Sequence, residues 1–269
     1  MNKKTLQKLD RLREKLRDMK RVAIAFSGGV DSSFLLAVGH DELGDNAVAV
    51  TAVSPTYPQE EYKDAQRFTK TLGSPHIIIQ TKELQNKDYA KNPQNRCYYC
   101  KKELFMQMKQ VANQHHIPHI LDGSNADDSK DYRPGSLAIK ELGVKSPLKD
   151  VGLTKQEIRD LSKQMNLHTW DKPPLACLAS RFPYGEPITE ARLNQVYTAE
   201  RFLHSLGLKH IRVRYHQDIA RIETEPKEFK NIVRNAQRII KKFKALGFTY
   251  ITLDLQGYRT GSLNEVLRL

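Results

Sequence analysis

The chain has few cysteines, one tryptophan and no long apolar run. Three cysteines occur among its 269 residues. An odd number of cysteines cannot all pair with one another, and so few thiols exclude a small secreted fold stapled by disulfides. No apolar run approaches about 18 residues, so the sequence predicts no membrane-spanning helix. The basic N-terminal segment lacks the apolar centre of a secretory signal, and we expect a cytoplasmic protein with reduced, catalytic or metal-bound thiols.

Acidic residues are fewer than basic ones. The chain has 44 Lys and Arg against 31 Asp and Glu, a formal net charge of +13. The excess is concentrated at the N-terminus and in residues 209–244. A surplus of this kind favours polyanionic ligands such as nucleic acid, and it equally suits small phosphorylated molecules.

The predicted elements alternate as they do in α/β proteins. We predict strands at 22–26, 47–53, 76–80 and 118–122, and helices at 5–19, 33–43, 59–72, 101–115 and 154–166. This order indicates a doubly wound parallel sheet with helices on both faces. Beyond Pro173-Pro174 we predict a helix at 189–206, a hairpin over 211–222, a helix at 227–246 and a strand at 250–255. We therefore expect a nucleotide-binding domain over 1–172 and a smaller α+β domain over 173–269, for substrate binding or oligomerisation.

A glycine-rich motif follows the first predicted strand. It reads Ser27-Gly28-Gly29-Val30-Asp31-Ser32-Ser33. The glycines allow the backbone to approach phosphate oxygens, and the serines and the following helix N-terminus offer donors to an anion. Asp31 can hold Mg²⁺ against a pyrophosphate. The motif is neither a Walker A loop nor a dinucleotide fingerprint. It resembles the loop of the PP-loop ATP pyrophosphatases, which cleave ATP between the α- and β-phosphates.

That resemblance implies two further nucleotide contacts. Val53, at the end of the second strand, would lie by the adenine. Gly123 and the segment Asn125 to Asp127 would form a second loop facing phosphate or metal. The feature of the sequence itself that supports these roles is their position after predicted strands.

The cysteines leave several kinds of chemistry open. Cys97 and Cys100 are separated by two tyrosines in a predicted loop of about 20 residues, and Cys177 stands alone. The three thiols could bind zinc with a histidine from residues 115–119, although the spacing is poor. A redox dithiol would leave Cys177 without a role. Three thiolates could also hold a [4Fe–4S] cluster with one open iron, and three unrelated cysteines remain an alternative.

Three longer blocks of sequence resemble the LarE family. They are residues 176–185 around Cys177, residues 131–135 and residues 216–223. The resemblance extends over essentially the whole chain. LarE proteins are ATP-dependent sulfur transferases that make the organic part of the nickel-pincer cofactor of lactate racemase.

The resemblance implies a reaction and its cofactors. ATP and Mg²⁺ would adenylate a carboxylate of pyridinium-3,5-biscarboxylic acid mononucleotide and release pyrophosphate. A sulfur nucleophile would then displace AMP to form a thiocarboxylate, and the second carboxylate would follow. In one branch of the family the cysteine matching Cys177 gives up its own sulfur. The pair Cys97 and Cys100 matches the other branch, where three cysteines hold a [4Fe–4S] cluster carrying hydrosulfide, and we favour that branch.

The remaining candidate residues are polar side chains of the second half. Ser180 and Arg181 would orient the substrate beside Cys177. By resemblance the mononucleotide phosphate would be bound by Arg212, Arg214 and Arg259, the first two of which share one strand face. The family also places acidic residues near the sulfur donor, and these match Glu200 and Glu223. A third acidic position is Asn231 here, which puts a metal site at these residues in doubt.

Two other functions compete with this interpretation. A tRNA thiolase would share the phosphate loop and a three-cysteine cluster, and its substrate would suit the positive charge. The three cysteines leave none for an appended zinc ribbon, so we regard nucleic acid as the weaker alternative. An inactive carrier that delivers sulfur to a partner is a second possibility. The resemblance further implies a homo-oligomer, a hexamer, with a small-molecule substrate and no membrane contact.

Overall fold

The computed structural model describes residues 2–130, 134–173, 177–259 and 261–266. Residues 131–133 of the block 131–135, as well as Pro174 and Ala176, lie outside these described residues. Within the described part, no helix is both long and apolar enough to cross a membrane.

The chain forms two compact units and passes between them more than once. The first unit comprises Met1–Glu83 and Asn95–Leu175. The second comprises Leu84–Gln94 and Ala176–Leu269. The short segment Leu84–Gln94 therefore belongs with the C-terminal part of the chain, although the segments on either side of it belong to the first unit.

The first unit is built on a four-stranded sheet. Its strands are β1 Val22–Ala25, β2 Ala47–Val53, β3 His76–Gln80 and β4 His119–Leu121. They are parallel and lie in the order β3-β2-β1-β4. With helices numbered along the whole chain, this unit contains α1 Lys3–Met19, α2 Val30–Leu43, α3 Gln59–Leu72, α5 Arg96–Gln114, α6 Gly135–Glu141, α7 Pro147–Asp150 and α8 Lys155–Gln164. The predicted α/β class is confirmed.

Both faces of this sheet are covered by helices. Val22 and Ile24 of β1 pack into one buried cluster with Phe34 of α2. Ala23 faces the opposite side and packs into a second cluster with Phe105 of α5. Because successive residues of a strand point to opposite faces, a strand buried on both sides is apolar throughout. The carboxyl ends of the strands meet at one edge, which is where ligands bind in open α/β sheets.

The cysteine pair lies in a helix and not in the predicted loop. Helix α5 begins at Arg96, five residues before the predicted start, and Cys97 and Cys100 are its second and fifth residues. Packing against α6 explains the early start. A methyl group on Gly135 would lie 3.3 Å from the carbonyl oxygen of Cys97, and the Tyr98 hydroxyl donates to Glu141 at 2.8 Å. These contacts are distant in sequence, so local propensity did not show them.

The second unit is a smaller three-stranded sheet with helices. Its strands are β5 Ile211–His216, β6 Ile219–Thr224 and β7 Tyr250–Leu253, in the order β5-β6-β7. The first pair is antiparallel, as the predicted hairpin requires, and the second is parallel. The helices are α4 Lys87–Ala90, α9 Glu190–Ser205, α10 Phe229–Arg234 and α11 Ala236–Ala245, and a short 3-10 helix spans Leu178–Arg181.

Hydrogen bonds hold the Leu84–Gln94 segment within this second unit. The Asn92 amide donates to the Pro183 carbonyl at 2.7 Å, and the Asn92 carbonyl accepts from Gly185 N at 2.9 Å. Ile188 N also donates to the Ala90 carbonyl at 2.8 Å. The residues that follow Cys177 are thus fixed by a segment far earlier in the chain.

The helix predicted over 227–246 is in fact two helices. The break falls at Asn235, between α10 and α11. The Asn235 side chain donates to the Asn231 carbonyl at 2.9 Å. A side-chain amide that bonds to the backbone of the preceding turn competes with continued helix formation. The prediction of one continuous helix was wrong for this reason.

Helix α8 begins with the predicted capping box, in which Thr154 and Glu157 bond to each other's backbone. Glu157 also accepts hydrogen bonds from Lys8 Nζ at 2.7 Å and from Thr5 at 3.0 Å, which ties α8 to α1. Burial alone raises the pKa of Glu157, but the bonds from Lys8, Thr154 and Thr5 outweigh it and lower the pKa from 4.5 to about 2.

We expect Glu157→Gln to lower the free energy of unfolding at pH 7 by up to about 1 kcal/mol, because partial exposure screens the pair. A carboxyl group whose pKa is lower in the folded state stabilises that state at pH values above its unfolded pKa of 4.5. This stabilisation is lost as the pH falls from 4.5 towards about 2. Urea unfolding of both proteins from pH 7 to pH 3 should therefore show a shrinking difference. A difference that is constant over this range would contradict the assignment.

Candidate active site

The phosphate loop connects β1 to α2 at the ligand-binding edge of the first sheet. Phe26 N continues the strand pairing by donating to the Val50 carbonyl at 2.9 Å. Gly28 then takes a φ of 69°, in the left-handed region that favours glycine. Gly29 is the N-cap of α2 and makes no side-chain capping bond. The loop therefore turns sharply and presents the first turn of a helix whose N–H groups are not capped by a side chain.

Two side chains hold this loop from outside. The Tyr57 hydroxyl donates to the Ser27 carbonyl at 2.8 Å, and Lys172 Nζ donates to the Gly28 carbonyl at 3.3 Å. Lys172 is itself paired with Glu61 at 2.6 Å. Burial, together with Glu61 and Asp64, raises the pKa of Tyr57, so the phenol remains a proton donor at neutral pH. These contacts fix the carbonyls of Ser27 and Gly28, while Ser27 N donates within the loop to Ser32 Oγ at 3.3 Å.

Polar groups without partners lie at the same place. Asp31 Oδ1 and Ser33 Oγ are buried and have no hydrogen-bond partner among the described residues. Buried polar atoms are almost always paired, with protein, water or ligand. Together with the uncapped helix N-terminus, whose dipole favours negative charge, they form a site suited to an anion and its counter-cation.

The second predicted loop approaches the first. A methyl group on Gly123 would lie 3.2 Å from Ser32 N, so this glycine permits the close approach of the backbone to α2. Asn125 Oδ1 accepts from Asp127 N at 2.9 Å. The Asp127 carboxylate accepts from Lys155 N at 2.8 Å. Gly123 therefore lies against the start of α2, and Asp127 is bonded to the first residue of α8. Their roles toward phosphate or metal stay predictions.

The predicted adenine-side residue, Val53, is the last residue of β2. Its carbonyl accepts from Thr81 N at 3.2 Å. The loop that follows is organised by Glu83, which is buried and accepts from Ser54 at 2.5 Å and from Thr56 at 2.7 Å. This loop also carries Tyr57, so it links the end of β2 to the phosphate loop.

Gly28→Ala is expected to weaken ATP binding at least about tenfold, because forcing an alanine into a left-handed conformation costs about 1–2 kcal/mol or moves the loop. Gly143→Ala is the matched control, since Gly143 has a φ of 66° and open space around it. Both variants should lose similar stability in urea, and calorimetry should show weaker ATP binding for Gly28→Ala alone. Equal ATP affinities would show that the loop conformation does not matter for binding.

The three cysteines are divided between the units, and none is in a disulfide. Cys97 and Cys100 are three residues apart on α5, so they share one helix face in the first unit. Cys177 directly precedes the 3-10 helix of the second unit and is exposed. Within neither unit do three His, Cys, Asp or Glu side chains of the described residues converge as a metal site.

A buried ion-pair network surrounds the 3-10 helix after Cys177. Arg181 makes a bidentate pair with Glu200, with distances of 3.0 and 2.9 Å, and also donates to the Cys177 carbonyl at 3.1 Å and to Ser180 Oγ at 3.0 Å. Glu200 also accepts from Val213 N at 2.9 Å. The predicted residues Cys177, Ser180, Arg181 and Glu200 are therefore brought together.

A second buried pair continues the network. Arg214 bonds to Glu223 at 2.8 Å, to Ser262 at 2.8 Å and to the Ser180 carbonyl at 2.6 Å. The sequence predicts Arg214 as a phosphate ligand, and here its guanidinium is engaged with protein groups. Glu223 is fully buried and also pairs with Arg221 at 3.1 Å.

Positive charge exceeds negative charge at the centre of this network. Burial and the positive charge of Arg181 lower the pKa of Arg212, whose guanidinium lies 5.3 Å from the Tyr258 ring. Burial raises the pKa of Glu200, but Arg181 outweighs this effect and the net shift is downward. Arg259 lies more to the outside and pairs with Glu265 at 2.9 Å. The Arg212 guanidinium also donates to the Ile211 carbonyl at 2.7 Å, and its role as a phosphate ligand stays a prediction.

The sequence interpretation missed several residues of these sites, among them Lys155, Lys172 and Glu83. Lys155 and Lys172 contact the phosphate loop from positions far away in the sequence. Glu83 accepts hydrogen bonds in the loop that follows β2. Lysines and glutamates are common on helix surfaces, so no local signal distinguishes them. Only the fold brings them to the loop.

A parallel sheet whose first strand leads through Ser-Gly-Gly-Val-Asp-Ser into an uncapped helix defines a nucleotide-binding protein of the PP-loop class. The Asparagine synthase family model matches residues 9–127, which contain this loop. An uncharacterised protein from Synechocystis sp. is 45% identical over 97% of this chain and 98% of its own length.

A protein of known activity is similar over nearly the whole chain. It is pyridinium-3,5-bisthiocarboxylic acid mononucleotide synthase from Lactiplantibacillus plantarum, 37% identical over 94% of this chain and 92% of its own length. The tRNA-specific 2-thiouridylase of Anaplasma marginale is 27% identical over 56% of this chain and 48% of its own length. The chain belongs to the LarE family of ATP-using sulfurtransferases.

Proposed function

We propose that this protein converts the two carboxylates of pyridinium-3,5-biscarboxylic acid mononucleotide into thiocarboxylates, with release of AMP and pyrophosphate. The observation that carries the proposal is the 37% identity, over nearly the full length of both chains, to a synthase of the corresponding bisthiocarboxylic acid mononucleotide. The product would be a precursor of the nickel-pincer cofactor of lactate racemase.

The nucleotide step would use the phosphate loop. The amides of the first turn of α2 and Ser33 Oγ, which lacks a partner in the described residues, suit the oxygens of a polyphosphate. Asp31 would hold Mg²⁺, a hard cation that prefers oxygen ligands. Attack of a substrate carboxylate on the α-phosphorus forms an acyl adenylate, whose AMP is a good leaving group. The sulfur nucleophile then displaces AMP and leaves a thiocarboxylate.

The substrate phosphate would bind in the arginine network of the second unit. Arg181, Arg212 and Arg214 carry three positive charges against the two carboxylates of Glu200 and Glu223. Burial first, and then the positive charge of Arg181, disfavour the charge on Arg212, and a dianionic phosphate would offset both effects. Ser180 and the Arg181 guanidinium would then orient the ring carboxylates beside Cys177.

The sulfur would come from a [4Fe–4S] cluster held by Cys97, Cys100 and Cys177. Thiolates are the usual ligands of such clusters, and all three cysteines are outside disulfides, so the donor set fits in kind. Bound there, the cluster would supply inorganic sulfur at its open iron. The other possibility within the family is that Cys177 donates its own sulfur.

The proposal is tested by incubating anaerobically reconstituted protein with ATP, Mg²⁺, sulfide and the pyridinium acid. AMP and pyrophosphate should appear only when the acid is present, and mass spectrometry should detect replacement of oxygen by sulfur in the product. Nucleotide consumption without the acid, or an unchanged acid, would contradict the proposal.

A tRNA thiolase is the second candidate, because the chain resembles a tRNA-specific 2-thiouridylase over about half its length and carries a charge of +13. That candidate requires tRNA binding that weakens steeply with salt. A filter-binding titration at two salt concentrations distinguishes the two functions, since the mononucleotide enzyme has no need of tRNA.

A further inference from the structure

Lys155 connects the two loops of the nucleotide site. It is the first residue of α8, and its Nζ lies 2.7 Å from Asp31 Oδ2. Its backbone N donates to the Asp127 carboxylate at 2.8 Å. The two aspartates are the residues predicted for metal and phosphate binding, so one lysine contacts both through different atoms. The Thr154–Glu157 capping box fixes the start of its helix and therefore the position of its backbone.

The ion pair between Lys155 and Asp31 is suited to exchange. The lysine side chain is 35% exposed and the aspartate side chain 21% exposed, so neither charge is locked in the interior. Ion pairs at this exposure contribute little to stability. The ammonium group sits on a flexible stem and can move to another acceptor nearby. Asp31 Oδ1, by contrast, is buried without a hydrogen-bond partner among the described residues, so this carboxylate has an oxygen left to offer a cation.

Lys155 and a divalent cation therefore compete for the same carboxylate. In the structure the ammonium occupies Asp31 Oδ2, which neutralises the aspartate. A cation that takes both oxygens of Asp31 must displace this ammonium. The displaced charge is then within reach of an anion bound at the start of α2, because Asp31 lies in the first turn of that helix.

We propose that Lys155 is a nucleotide-binding residue that exchanges partners: it neutralises Asp31 when the site has no nucleotide and binds the polyphosphate when Mg²⁺ takes Asp31. This rests on the proposed use of the phosphate loop for ATP. The exchange makes the affinities for the metal and for the nucleotide interdependent. Without nucleotide, the metal must compete with the Lys155 ammonium for Asp31. A bound nucleotide attracts the ammonium and so frees Asp31 for the metal.

The test uses the full chain with Lys155→Met, Lys155→Arg and, as a matched control, Lys149→Met, which removes an exposed lysine of the neighbouring helix α7. Electron paramagnetic resonance measures Mn²⁺ binding without nucleotide, and calorimetry measures binding of Mg·ATP. For Lys155→Met we expect Mn²⁺ to bind several-fold more tightly and Mg·ATP roughly 10- to 100-fold more weakly, since a hydrogen bond to a charged group is lost. Lys155→Arg should retain most of the ATP affinity.

These opposite shifts separate the proposal from a structural role, which would weaken both ligands or neither. Unchanged Mn²⁺ and ATP affinities in Lys155→Met, or a parallel loss of both, would overturn it while the wild type still binds Mg·ATP. A wild type that binds no Mg·ATP would instead overturn the proposed function and this inference with it. If Lys155→Met fails to fold by circular dichroism, Lys155→Gln replaces it in the same two titrations.

Discussion

Cys97→Ala is expected to reduce sulfur transfer from many turnovers per chain to at most one. If Cys97, Cys100 and Cys177 hold a [4Fe–4S] cluster, the variant retains too few thiolates to keep it, and its reconstituted protein should lose the roughly 4 irons and their acid-labile sulfide. The substitution lies on an exposed position in the first turn of α5, so the fold and ATP binding should be unaffected.

The measurement is iron and acid-labile sulfide per chain in wild type and variant, followed by product formed per chain under excess substrate. Cys97→Ser is the control that puts a weaker ligand at the same position. Tyr99→Phe is the control for a change at a neighbouring position that bears no thiol. If neither protein holds iron, Cys177 becomes the sulfur donor itself. The mass of the protein should then fall by about 34 Da after turnover, because Cys177 loses H₂S to become dehydroalanine.

Arg181→Met is expected to lower the free energy of unfolding by about 3–5 kcal/mol, the usual cost of removing one partner from a buried ion pair. Arg181 and Glu200 are 4% and 6% exposed. Methionine preserves the volume of the stem, while Glu200 loses both bonds of the bidentate pair and keeps the one from Val213 N. Urea unfolding at pH 7 measures the effect, with Arg67→Met as a control in an exposed pair on α3.

The charge on Glu200 determines the sign of the pH dependence. In the native protein Arg181 keeps the pKa of Glu200 below its usual value despite burial. Without Arg181, burial dominates, and the variant should regain part of its stability as the pH falls and Glu200 is protonated. The double variant Arg181→Met with Glu200→Gln should be more stable than the two single effects predict by addition. A simple sum, with no recovery at low pH, would contradict a charge-based explanation.

Local patterns in the sequence identified most of the fold. The predicted strands 47–53 and 76–80 and the predicted helix 59–72 match β2, β3 and α3 residue for residue. Their signals are short-range: apolar runs for the two strands, and acidic residues in the first turn of the helix. The start of α5 and the break at Asn235 depend on contacts made elsewhere or on side-chain bonding to the backbone, so periodicity did not predict them.

The candidate site could be predicted where a motif is contiguous. The phosphate loop is one unbroken segment, whereas Lys155 reaches Asp31 across 124 positions and has no distinguishing neighbours. Glu200 and Glu223 illustrate the same limit, because the sequence allows them to be surface charges and the structure buries both against arginines. The assignment of roles to these residues, the cluster, the hexamer and the cytoplasmic location stay predictions.

The placement of Leu84–Gln94 in the second unit has a consequence for biosynthesis. The ribosome completes the first unit at Leu175, before most of the second has been made. Domains fold as units during synthesis, in order from the N-terminus, so the first sheet can close while Leu84–Gln94 still lacks residues 182–188, to which it is hydrogen-bonded. This segment must therefore remain without its native contacts, as a loop of the folded first unit, until the last third of the chain has been synthesised. A fragment that begins at Ala176 would lack the Asn92 bonds that hold Pro183 and Gly185, and could not reproduce the native second unit.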